Sequence, residues 1–121
     1  MSTIFSDLLS LLDNSDSFPD ITFRVGSHGK MIQAHRAILC TRSEYFKTML
    51  KSGALFKESI ENCVVLEDTD PVAFMRILEY LYSDSIRQDF TELSFDELCD
   101  LFELADEYML ANLQEECVLS L

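Results

Sequence analysis

The chain has 121 residues, 48% of them hydrophobic and 26% charged, the composition of one globular domain large enough to bury a core without disulfide or metal staples. Its 22 acidic and 9 basic residues give a formal net charge of -13. That balance argues against sequence-independent nucleic-acid binding and against attraction to anionic membranes, because both need clustered Lys and Arg.

Residues 3–12 carry Phe5, Leu8, Leu9 and Leu12 at i, i+3, i+4 and i+7, the apolar stripe of a short amphipathic helix. A helix of about ten residues is marginal alone, so it must pack on its own core or on a second subunit. A polar connector over 13–17 follows, closed by Pro19. Ile21, Phe23 and Val25 then alternate with Thr22 and Arg24, as in a half-buried strand. Residues 26–29 supply a turn, and residues 30–34 return with Ile32 and Ala34 on one face, completing a hairpin. From Ala34 the period becomes helical through Ala37 and Ile38. After a break, Ser43 caps a second helix whose Phe46, Met49 and Leu50 share a face. Residues 52–62 are the least regular stretch, with Leu55 and Phe56 among polar neighbours. Residues 64–66 read as a third strand.

Asp70 and Pro71 open a helix as its N-cap and first helical position, with Phe74, Ile77, Leu78 and Leu81 as the buried stripe. Ser94-x-x-Glu97 is a capping box, flanked by Leu93 and Leu98 as a hydrophobic staple. The stripe Phe95, Leu98, Leu101, Phe102, Ala105 and Met109 continues to a break expected at Asn112, before a last helix over 113–119. This order predicts one α/β (α+β) domain over residues 1–121, a helical cluster flanked by a small three-stranded sheet.

No enzyme site is legible: there is no G-x-S-x-G, no phosphate-cradling glycine loop and no H-E-x-x-H. His28 falls in the turn and is expected exposed. His35, with Asp20 and Arg36 nearby, lies between apolar residues and reads as a core histidine bonded to backbone rather than a catalytic base. Cys40, Cys63, Cys99 and Cys117 form no C-x-x-C and stand at no zinc spacing from a histidine. Each lies in or beside an apolar run, as buried free thiols do. No metal, cofactor or small-molecule substrate is expected. No apolar run reaches the length of a membrane span, and no secretory leader pattern opens the sequence. With free cysteines, this predicts a reducing compartment, cytosol or nucleus. Charge is unevenly spread: residues 1–60 hold 7 bases and 6 acids, residues 61–121 hold 2 and 16. The acidic half is either a solvated helix face or a surface that steers a basic partner.

The segments DITFRV at 20–25, AHRAIL at 34–39, SEYFKTML at 43–50, ILEYLYS at 77–83 and LFELADEY at 101–108 are followed by Leu110, Leu113 and Cys117. In that order and spacing the chain resembles the BTB/POZ domain from about Ser6 to Leu119. The resemblance implies a BTB/POZ fold whose work is protein–protein interaction. Dimeric members pack the N-terminal helix on the partner subunit, which makes Phe5, Leu8, Leu9 and Leu12 the expected dimer interface. With only Met1 and Ser2 ahead of that helix, no exchanged N-terminal strand is expected.

Cullin-binding members tend to carry a hydrophobic residue, any residue, then Glu before the third main strand; Phe56-Lys57-Glu58 resembles that pattern. Tyr45, Phe46 and Tyr82 lie on segments resembling the rest of that surface. The competing reading buries Phe56 and leaves Glu58 a solvated charge, with Phe46 in the core. Asp20 and Arg36 resemble the charged pocket of transcription-factor members, or form a structural ion pair. The favoured expectation is a homodimer that recruits a cullin scaffold as a ubiquitin-ligase adaptor. The alternative is an oligomerisation or corepressor-recruiting module without cullin binding. Adaptors normally carry a substrate-recognition domain elsewhere, so the chain is either a piece of a longer protein or a dimerisation partner acting alone.

Overall fold

The computed structural model describes residues 3–14, 16–51 and 63–121. Helix α1 (Ile4–Ser10) is shorter than the apolar stripe suggested. Thr3 caps it: its hydroxyl accepts the Ser6 N–H and the Ser6 hydroxyl accepts the Thr3 N–H, each at 3.1 Å. This reciprocal pair satisfies two N–H groups that helix ends otherwise leave open.

Strands β1 (Ile21–Val25) and β2 (Lys30–Ala34) form the expected hairpin, with Phe23 opposite Ile32. Strand β3 (Cys63–Leu66) runs parallel to β1, placing Val64 opposite Phe23, so the sheet order is β2-β1-β3. Ala34 ends β2 rather than opening a helix, because Asp20 N–H bonds its carbonyl and holds it in the ladder.

Helices α2 (Arg36–Arg42) and α3 (Glu44–Lys51) are split by Ser43, which is buried and extended. Its hydroxyl accepts the Phe46 N–H at 3.2 Å, the expected cap. Helix α4 (Pro71–Ser83) starts as expected, the Asp70 carboxylate accepting the Ala73 N–H at 2.9 Å. The hairpin turn rests on this helix start. Gly26 has φ +84°, and a Cβ there would stand 2.8 Å from the Pro71 ring.

Helix α4 is buried on more than the expected stripe: Ala73, Arg76, Glu79, Tyr80 and Tyr82 are buried beside Phe74, Ile77, Leu78 and Leu81. It therefore runs through the middle of the cluster. Its two buried charges are paired. The Arg76 guanidinium donates to Glu97 and Gln88, each at 2.9 Å. Glu79 accepts the Arg87 N–H at 3.1 Å and stands 3.6 Å from the Arg87 guanidinium. Buried ions require such partners.

In helix α5 (Phe95–Glu107) the capping box forms in both directions, Glu97 N–H to Ser94 at 3.1 Å and Ser94 N–H to Glu97 at 3.0 Å. Leu93 and Leu98 are both buried. The predicted stripe is corrected. Leu98, Leu101, Leu104, Ala105 and Tyr108 are buried, while Phe95, Phe102 and Met109 are 66%, 37% and 63% exposed. The spacing of 98, 101, 105 and 108 already fills one face of a 3.6-residue helix, and Phe95 and Phe102 lie about 80–100° around from its centre. The break comes at Met109, with φ +60°, and not at Asn112, which lies inside α6 (Ala111–Leu119). Phe23, Phe46, Phe74 and Tyr108 form the aromatic centre, with ring centroids 4.9 Å apart for Phe23–Phe74 and 5.1 Å for Phe46–Tyr108.

Candidate interaction surfaces

None of the seven residues of α1 is buried. Ile4 is 70% and Phe5 47% exposed, whereas Leu9 and Leu12 are partly buried against the core. Phe5 and Leu8 line a shallow apolar groove with Ala37, Ile38 and Thr41 of α2 and Leu81 of α4. The predicted dimer residues thus divide: Phe5 and Leu8 line an open surface, while Leu9 and Leu12 anchor the helix from below.

Polar ties add to the hold of Leu9 and Leu12. The Arg87 guanidinium pairs with Asp13 at 2.5 Å and reaches the Leu9 carbonyl at 3.4 Å. The Ser17 hydroxyl donates to the Leu11 carbonyl at 2.9 Å. Behind Ser17 stands His35. Its Nε2 lies 2.9 Å from the Ser17 carbonyl, which can only accept, so Nε2 carries the proton. Nδ1 then accepts from the Tyr82 hydroxyl at 2.8 Å, and that hydroxyl accepts the His35 N–H at 2.8 Å. His35 is the backbone-bonded histidine that the sequence suggested, and His28 is exposed in its turn.

Asp20 and Arg36 do come together. The Asp20 carboxylate accepts the Arg36 backbone N–H at 2.7 Å, and Arg36 Nε donates to the Asp20 carbonyl at 3.3 Å. The acid thereby holds the first residue of α2 beside the start of β1.

Phe56 and Glu58 lie outside the described residues. Of the three residues grouped with them, Phe46 is 0% and Tyr82 1% exposed. Phe46 packs within the aromatic centre, and Tyr82 lies at the floor of the α1–α2 groove with its hydroxyl turned to His35. Burial raises the Tyr82 phenol well above its ordinary value, against the lowering effect of the His35 bond. Tyr45 is half-buried, its ring 4.7 Å from that of Tyr108, and burial followed by the Glu107 charge raises its phenol.

Of the cysteines, only Cys117 is buried; Cys40, Cys63 and Cys99 are intermediate, and all four are free thiols. Burial, and then the Glu116 charge, pushes the Cys117 thiol up to about 11, so it stays protonated and unreactive at neutral pH. Sequence reasoning missed the buried ion pairs of Arg76 and Glu79 and the outward turn of Phe95 and Phe102. A charged residue inside the apolar run of α4 was the available signal for the first.

A model of the BTB/POZ domain family matches residues 9–121, and the chain belongs to that family. It is 31% identical over 110 residues to mouse Kelch repeat and BTB domain-containing protein 4, covering 91% of this chain and 19% of that protein. It is 32% identical over 117 residues to zebrafish Kelch-like protein 41b, covering 97% and 18%. The solved BTB domain of zebrafish PATZ1 is similar in fold, with a TM-score of 0.68 at 22% identity over 93% of this chain and 83% of that one. The chain spans about a fifth of the length of these two relatives. A helical cluster beside a three-stranded sheet is therefore the BTB fold, and the class of function that goes with it is protein–protein interaction.

Proposed function

We propose that this chain is a non-enzymatic, homodimerising BTB module of the cytosol or nucleus that recruits a cullin scaffold as a ubiquitin-ligase adaptor domain. The observation that carries the dimer is α1. A capped helix with no buried residue, presenting Ile4 and Phe5 beside an apolar groove lined by Leu8, Ala37, Ile38 and Leu81, is a surface built to be covered. A second copy related by a two-fold axis covers both grooves at once. Light scattering checks this: the wild type runs at twice the monomer mass, and Phe5→Ser with Leu8→Ser shifts it to monomer. A monomeric wild type sinks the dimer reading.

Cullin recruitment rests on the Phe56-x-Glu58 pattern. Calorimetric titration with a cullin N-terminal domain is expected to give binding that a folded Phe56→Ala, Glu58→Ala variant loses. One observation favours the second reading, a module that oligomerises or recruits a corepressor without a cullin: Phe46 and Tyr82 are buried, which shrinks the apolar contact set. A well-folded dimer that gives no heat with the cullin domain decides for that reading.

A further inference from the structure

A second apolar surface lies on α5 and α6, built from residues that neither α1 nor the Phe56 segment includes. Phe95 and Phe102 are seven residues apart, two helical turns or about 10 Å along α5. Leu98 and Cys99 lie between them, and Cys117, Val118 and Leu121 close the other side, making an apolar groove of about 270 Å³. Val118 is 52% and Leu121 67% exposed. Exposed aromatics over a continuous apolar floor are the usual anchors of an interface.

The groove has a charged neighbour. Glu103 lines it and also lines a cleft of about 310 Å³ whose other walls include Asp68, Asp70, Asp100 and Glu107. Among the described residues, no Lys, Arg or His lines either one. From Asp89 to the end of the sequence there are 10 acids and no base. The two bases of residues 61–121 are engaged elsewhere, Arg76 with Glu97 and Arg87 with Glu79 and Asp13.

We propose that this face docks a basic amphipathic helix of another protein. Apolar side chains at i, i+3 or i+4, and i+7 match the spacing of Phe95 and Phe102, and Lys or Arg beside them reach past Glu103 to the acidic cleft. The charge selects this occupant. A second copy of the same face brings the same carboxylates into opposition, and an anionic membrane or nucleic acid is repelled. The proposal does not depend on dimerisation or on a cullin.

Fluorescence anisotropy with labelled synthetic peptides of about 16 residues, enough for two full turns of contact, tests it. One peptide carries the apolar pattern flanked by Lys and Arg, the second the same pattern flanked by Glu, and the third is a scramble of the first. The basic amphipath is expected to bind at least roughly tenfold tighter than either control and to weaken as salt is raised. Phe102→Ser and Glu103→Lys, both at exposed positions, each weaken it at least roughly tenfold at an unchanged urea midpoint. Scrambled and patterned peptides binding alike would show charge attraction without a groove and overturn the proposal. So would absence of binding, or affinity untouched by both variants. A change of mass in light scattering on Phe95→Ser, Phe102→Ser would assign the groove to a second copy and equally overturn it.

Discussion

Tyr82 and Tyr108 are each 1% exposed, yet their hydroxyls stand in opposite circumstances. The Tyr82 hydroxyl accepts the His35 N–H and donates to His35 Nδ1, both at 2.8 Å. The Tyr108 hydroxyl is buried without a hydrogen-bond partner among the described residues. The Thr69 side chain comes close enough to lower the phenol slightly against burial, but not into bonding geometry. Tyr82→Phe deletes two bonds worth about 1 kcal/mol each and leaves a backbone donor and a ring nitrogen unpaired; because His35 is only half-buried, water recovers part of this, and the expected loss is about 2–3 kcal/mol. Tyr108→Phe deletes a polar group whose desolvation, about 1–3 kcal/mol in mutational data, is uncompensated. Its expected effect runs from zero to about 1 kcal/mol of stabilisation. The ring packing is the same before and after in both cases. Urea unfolding at fixed protein concentration, with unchanged slope, reads the difference. Equal losses in the two variants, or a larger loss for Tyr108→Phe, would refute the hydrogen-bond reasoning.

Gly26→Ala places a Cβ 2.8 Å from the Pro71 ring at φ +84° and is expected to cost about 2–3 kcal/mol, whereas Gly29→Ala, at φ +65°, crowds only the flexible Arg24 side chain and costs nearer 1 kcal/mol by thermal melting. Burial raises the folded pKa values of Tyr82, Tyr108 and Cys117. A raised folded value means stability that is full below the unfolded value and lost as pH climbs. Urea midpoints should therefore hold to pH 9 and then fall, and Cys117→Ala should flatten the part of the curve between 9.0 and about 11. Glu97 is held below the usual carboxylate range by the Ser94 N–H first and the Arg76 side chain next. Its contribution is present above 4.5 and lost as pH falls, so Glu97→Gln should flatten the acid limb of the same titration. Arg87→Met leaves the Glu79 carboxylate buried without its ion partner and unties Asp13; it should cost about 2–3 kcal/mol and speed hydrogen exchange in α1 beyond the global effect.

The parts of the fold that were legible in the sequence are those decided within a few residues. Asp70 with Pro71, Ser94 with Glu97, Ser43 before Phe46, and the alternation from Ile21 to Val25 each state their geometry locally, and each is found. What was not legible depends on partners far along the chain. Arg76 meets Glu97 across 21 residues, and the pairing lets a charged residue lie in a helix buried nearly all round. Phe95 and Phe102 looked like part of the core stripe, because several sets of apolar residues on α5 satisfy a helical period; Leu104 and Tyr108 completed the buried set instead. The same holds for the candidate surface. Phe5 and Leu8 were readable as one apolar face, but nothing local to Phe46 or Tyr82 could tell that the aromatic centre and His35 would claim them.

The position of α1 shows how polar bonds decide where an apolar surface goes. A seven-residue helix contributes too little cooperativity to persist alone. Had its stripe been driven wholly into the core, Phe5 and Leu8 would be buried; instead the helix is held at its edges. Thr3 and Ser6 close the first turn, Arg87 grips the last turn through the Leu9 carbonyl and Asp13, and Ser17 fastens the following turn to His35 and Tyr82. Arg87 and Tyr82 both trace back to α4, Arg87 through Glu79, so among the described helices the most buried one sets the place of the least buried. This arrangement keeps the apolar edge of α1 outward without asking that edge to stabilise the monomer. The second copy proposed to cover this edge would gain the burial of Phe5, Leu8 and the α2 groove without first detaching the helix, and the ordering cost that binding would otherwise carry would already be met in the free chain.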